Sequence, residues 1–164
     1  NLIVGNPPYV RQEKIIMNMD NIDSDTIEYK KTLESQILRR YFSNDATFKP
    51  PKINLQSDYL IYFFLGSFPL LCEKGIHCFI TSNSWLDVGY GMDFQEWALH
   101  TMDIKLILDN SKERSFEMAE INTVISLFQR KYEDKSENMS KFLTYHIDFK
   151  EMLEDSQFKI LGNI

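Results

Sequence analysis

The chain has 164 residues, 43% hydrophobic, 13% aromatic and 26% charged. That is enough apolar material for one packed domain and too ordinary a charge content for disorder. The net charge of −6 argues against a free-standing nucleic-acid-binding domain, and no apolar run has the length of a membrane span or the form of a secretion signal.

Residues 1–9 read Asn-Leu-Ile-Val-Gly-Asn-Pro-Pro-Tyr. Leu2 to Val4 is a short apolar run with two β-branched residues, stopped by Gly5, which predicts a buried parallel strand. Chemistry in open α/β sheets lies beyond the carboxyl ends of strands, so Asn6 to Tyr9 is placed there. Asn6 offers an amide and its carbonyl, and Pro7 and Pro8 fix φ and lack N–H groups. The proline carbonyls are therefore expected to face outward without internal donors. Tyr9 adds a flat ring for stacking. Such a turn can accept both hydrogens of an aromatic amino group and hold the ring that carries it.

Residues 10–56 form a long, irregular insertion at this end of the sheet, with a helix expected over 27–42 and a polar loop over 18–25. Between Lys30 and Lys52 there are six basic residues, Lys30, Lys31, Arg39, Arg40, Lys49 and Lys52, against Glu34 and Asp45. The stretch is +4 and the rest −10, so a phosphate-contacting surface and a solvated helix face are both open readings. Arg11, Gln12 and Glu13 either serve that surface or form the exposed first turn of a helix.

Ser57-Asp58 starts a helix that is apolar on every side from Tyr59 to Cys72, broken near Pro69 and stopped at Gly75. Ile76 to Thr81 is a second strand, giving a parallel βαβ unit. A polar loop follows at Thr81–Trp85, with Trp85 in a structural role, and Gly89-Tyr90-Gly91 reads as a flexible turn. A helix over 93–100 turns Phe94, Trp97 and Ala98 inward. Strands over 104–108 and 122–129 flank a loop bearing Phe116; the connection is too short for a parallel crossover, so the two are antiparallel. Phe142 to Ile147 is a further short strand within a charged tail, 131–164. Cys72 and Cys78 are expected to be buried free thiols of a reducing cytoplasm. His77, His100 and His146 are read as structural, and no metal-ligand spacing occurs.

Asn6-Pro7-Pro8-Tyr9 resembles the catalytic motif of S-adenosylmethionine-dependent amino-group methyltransferases, above all the adenine-N6 DNA methyltransferases. Val10 to Ile15 is similar to the type IIG restriction-modification and phage-defence enzymes among them, and the resemblance runs over about residues 1–130. It implies an α/β, Rossmann-like, three-layer αβα fold whose mostly parallel sheet has one antiparallel strand. It implies that Asn6 and the Pro7 carbonyl grip the amino group of a flipped adenine, stacked by Tyr9 and by Phe116. Asn6, Asp58 and Phe63 fall where the family meets its cofactor, with Phe63 against the cofactor's adenine. Arg11, Gln12, Lys30, Lys31, Arg39 and Arg40 fall where it meets double-stranded DNA.

The family's Gly-rich cofactor turn precedes its catalytic motif, and no such turn precedes Asn6. The chain begins inside a strand and without Met, as expected of a fragment holding the substrate half of the site. Residues 131–164 then lead toward a target-recognition domain. Such a fragment is expected not to methylate DNA alone, and the open edge of its first strand is expected to pair with the rest of the parent enzyme. Two other readings stay open: a methyltransferase acting on protein glutamine or RNA, and a non-catalytic docking module.

Overall fold

The structure is a computed structural model that describes residues 1–15, 22–42, 50–87, 89–110, 122–131 and 140–146. Five strands form one sheet: β1 (Leu2–Gly5), β2 (Ile76–Ser82), β3 (Met102–Asn110), β4 (Thr123–Arg130) and β5 (Lys141–Tyr145). Their order is β1-β2-β4-β3-β5. β1 and β2 are parallel, as are β3 and β5, and β4 runs antiparallel to both β2 and β3. One strand of five is reversed, as expected, and it lies inside the sheet between two parallel neighbours. Lys105 interrupts the β3–β4 register, since Ile104 faces Phe128 and Leu106 already faces Leu127. The sheet runs past residue 130, because β5 extends it beside β3.

Helices are α1 (Ile22–Ile37), α2 (Tyr59–Ser67), α3 (Ser84–Asp87) and α4 (Tyr90–Thr101). The core sits between α2, α3, α4 and one face of the sheet. Phe64 of α2 is its centre, with ring contacts to His77, Phe79, Trp85, Phe94 and Phe128. Burying one such side chain contributes about 1.5–3 kcal/mol. Phe94, Trp97 and Ala98 are buried as the periodicity predicted, and Trp85 is buried with its indole N–H donated to Thr81 Oγ1 at 3.2 Å.

The opposite face carries Val4, Cys78, Leu127, Leu106 and Lys141 in one cross-strand row, by register. Val4 is exposed there and the other four are half-buried. A cavity of about 350 Å³ opens there between Ile76, Leu106, Leu127 and Leu143, with Lys105 and Lys141 among its walls. The expected burial of β1 is therefore only half met. Leu2 and Val4 are 62% and 68% exposed, because β1 is an edge strand packed on one face.

Other expectations change locally. The polar composition of 18–25 suggested a loop, yet helix α1 already begins at Ile22. It ends at Ile37 in a π-type turn over Leu38–Phe42. Tyr90 and Gly91 open α4 instead of forming a flexible turn. Gly91 is there for space: a Cβ would stand 1.9 Å from the Trp85 carbonyl oxygen. α2 gives way at Phe68–Leu70 to a 3-10 turn containing Pro69. Cys72 is exposed, against expectation, since it follows that turn at the foot of the sheet; Cys78 is half-buried and its thiol is pushed up by burial. Among the described residues no helix is long and apolar enough to cross a membrane, and no His/Cys/Asp/Glu group could hold a metal ion.

Candidate active site at the carboxyl end of β1

Gly5 closes β1 opposite Phe79 of β2, and a Cβ on it would stand 2.7 Å from Phe79 Cε1. The backbone thus leaves the sheet where only glycine fits. Asn6 is exposed, Pro7 buried, Pro8 exposed and Tyr9 half-buried. No donor among the described residues reaches the Pro7 carbonyl. The Pro8 carbonyl differs from expectation. It accepts the Val10 N–H at 2.9 Å, because the chain folds back within two residues. Burial raises the Tyr9 hydroxyl pKa, and the Asn6 side chain beside it opposes the rise. Asn6 and Tyr9 therefore share one small space, and Tyr9 presents an uncharged ring at neutral pH.

The segment after Tyr9 is tied to the head of α2. Tyr59 N–H donates to the Val10 carbonyl at 3.0 Å, and Gln12 N–H donates to Asp58 Oδ1 at 2.9 Å. Asp58 precedes α2 without capping it through its side chain. Its other oxygen, Oδ2, accepts from Tyr90 at 2.7 Å and from Ser84 at 3.1 Å. Ser84 Oγ in turn lies 2.7 Å from Ser82 Oγ. A carboxylate offers about four lone-pair directions. Three of Asp58's are taken by protein donors, which makes it a tie between segments, and one remains for the expected cofactor contact.

Lys30 is corrected outright. It is 3% exposed and cannot lie on a phosphate-contacting surface. Its Nζ donates to Gln12 Oε1 at 3.1 Å and to the Leu55 carbonyl at 2.7 Å. Burial lowers its pKa, opposed by the negative charges of Glu13 and Asp58. Gln12 is half-buried, with its side-chain oxygen and its backbone N–H both engaged inside the protein. Gln12 to Lys14 form a 3-10 turn, near the helix-turn alternative. Arg11, Lys31, Arg39 and Arg40 lie at the surface, where a phosphate contact and a solvated face both stay open. A sequence signal for Lys30 existed. It stands three and seven residues before Leu33 and Ile37, on the stripe of α1 that turns inward. Ser84 and Tyr90 carried no such signal.

Phe63 is 40% exposed on the outer side of α2, so that helix is not buried all round. Its ring meets Tyr59 edge-on at 5.4 Å. The two line an open groove of about 370 Å³ with Leu33, Ile37, Tyr62 and Leu70. Burial, with Glu34 nearby, pushes the Tyr62 hydroxyl up to about 12, and the partner hydroxyl of Tyr29 raises Tyr59. Apolar walls, neutral phenols and an accessible ring suit a flat heteroaromatic group. Phe116 lies outside the described residues.

Residues 1–116 match the family described as Eco57I restriction-modification methylase. The chain belongs to that family. Its fold recurs in solved restriction-modification enzymes. The type IIG restriction endonuclease BpuSI aligns with a TM-score of 0.65 at 15% identity, over 99% of this chain and 17% of that one. The DNA-bound, ATP-dependent type ISP enzyme LlaBIII aligns at 0.59 and 20% identity, over 93% and 10%. DrdV, in a DrdV–DNA complex, aligns at 0.57 and 19% identity, over 93% and 15%. At these identities the likeness is one of fold, and this chain spans only 10–17% of those enzymes. No curated protein matches it.

Proposed function

We propose that the chain forms the substrate side of the active site in an adenine-N6 DNA methyltransferase of a restriction-modification or phage-defence system. The observation that carries this reading is the turn itself. At the end of a parallel strand it offers an exposed Asn6 amide, a Pro7 carbonyl with no described donor, and a neutral, half-buried Tyr9 whose hydroxyl feels the Asn6 side chain. Membership of a methylase family and the DNA-bound neighbours support it.

The target base must leave the duplex before its amino nitrogen can react. Stacking on Tyr9 offsets part of that cost, at about 1–3 kcal/mol per base, and Phe116 is proposed as the second aromatic wall. Asn6 Oδ1 and the Pro7 carbonyl accept the two amino hydrogens. That holds the nitrogen in place, aims its lone pair and stabilises the positive charge developing on it. S-adenosylmethionine, when bound, supplies the methyl group on a sulfonium. Phe63 and the Tyr59 ring would pack its adenine, with Asn6 near the reacting end. Arg11, Lys31, Arg39 and Arg40 would meet the DNA backbone.

The test is an Asn6→Ala change in the full-length enzyme. Methyl transfer to duplex DNA is expected to fall by at least about a hundredfold, the usual cost of removing one preorganised electrostatic partner. Digestion of the wild-type product should yield N6-methyladenine by mass spectrometry. Methyl found on cytosine, RNA or protein glutamine instead would overturn the assignment.

A further inference from the structure

We propose that Lys30 and Asp58 are positioning residues that lock the downstream end of the Asn6–Tyr9 turn between the insertion helix α1 and the head of α2. The lock is visible as geometry; its importance for catalysis rests on the function proposed above. The upstream end of the turn is held by the β1–β2 ladder, which ends at Gly5 opposite Phe79. The downstream end has no ladder. It is held by three hydrogen bonds within three residues, on the Val10 carbonyl, the Gln12 N–H and the Gln12 side-chain oxygen.

Two of the three partners are charged groups. Asp58 takes the Gln12 N–H and is itself rooted in α3 and α4 through Ser84 and Tyr90. Lys30 takes the Gln12 side chain and the Leu55 carbonyl together. Burying a lysine is costly unless its amine finds oxygen partners, and a surface location would spare that cost. A structural purpose at the turn accounts for it. A turn held at one end swings, and displacing a reacting group by about 1 Å can lower a rate a hundredfold.

The experiment uses the full-length enzyme with Lys30→Met and, separately, Asp58→Asn. Asp58→Asn keeps one oxygen and exchanges the other for an NH₂ group that cannot accept. Hydrogen exchange by mass spectrometry follows peptides spanning residues 6–15 and 76–82, and methylation is followed in steady state. Exchange over 6–15 should accelerate at least about tenfold, while 76–82, in the sheet, keeps its protection. The kcat should fall about 10–100-fold with KM for DNA within about twofold. If Lys30→Met loses protection over 76–82 as well, its fold is compromised and Asp58→Asn decides. Unchanged exchange over 6–15 overturns the lock, and so does faster exchange with unchanged kcat. A wild-type enzyme that methylates no DNA would instead remove the functional reading, with the exchange comparison still judging the lock.

Discussion

His77 shows how far a single residue departs from its isolated chemistry. It is 1% exposed, packed between the Phe64 and Phe79 rings, with Nε2 2.8 Å from Ser67 Oγ. Burial lowers its pKa to about 4 from 6.5. The folded form therefore resists protonation while the unfolded form does not. Above pH 6.5 both are neutral and His77 has no pH-dependent effect. As pH falls from 6.5 toward 4 the unfolded chain gains protons first and stability is lost, by about 3 kcal/mol in all. Urea unfolding at pH 7 and pH 4.5 should show that loss in the wild type and a smaller one in His77→Phe. Equal losses in the two would mean that His77 is not the group responsible. Asn6 and Lys30 diverge in the same way: one polar side chain is left exposed at the turn, the other is drawn in to hold it.

At the scale of elements, α1 and the π-type turn that ends it present two sides. Lys30, Leu33 and Ile37 turn toward the protein, while Lys31 of the helix and Arg39 and Arg40 of the turn lie outside. Replacing Lys31, Arg39 and Arg40 with Gln should weaken duplex binding of the full-length enzyme across all sequences. It should also flatten the dependence of log K on log salt by roughly 0.9 for each phosphate no longer neutralised. Lys30→Gln should leave that slope as it was, because the amine is buried. Anisotropy titrations from low to moderate salt compare the two; a shallower slope for Lys30→Gln, or an unchanged one for the triple variant, would refute this division. In α2 the division is one of direction. Phe64 faces the sheet and Phe63, its neighbour, faces outward beside Tyr59, so one helix serves the core and a groove at once.

At the scale of the molecule, the sheet is unevenly covered. Among the described residues β1 is an edge strand, and Leu2 and Val4 stand exposed. Together with the small share of the neighbouring enzymes that the chain spans, this is the ground for proposing that the reaction belongs to a larger protein. The 164-residue chain alone, given labelled S-adenosylmethionine and duplex DNA, should transfer no methyl above background, whereas the full-length enzyme should. Transfer by the isolated chain would show that the cofactor pocket is complete within it.

Sequence alone determined the order of the strands and of helices α2 and α4, the single reversed strand and the place of the Asn6–Tyr9 turn, but not helix α3, which stands where a polar loop was expected. These follow from local periods, a glycine stop, proline stiffness and a connection too short to cross over. Phe94, Trp97 and Trp85 were legible for the same reason. Only the tertiary structure decided which polar groups were taken. Lys30 reads as a surface cation until Gln12 and Leu55 close over it, Asp58 shows no partner until Ser84 and Tyr90 bond it, and Pro8 reads as an open acceptor until Val10 folds back. Each of these partners lies elsewhere in the chain or around a bend. Composition and spacing say what a side chain can donate or accept; only the fold says who reaches it first.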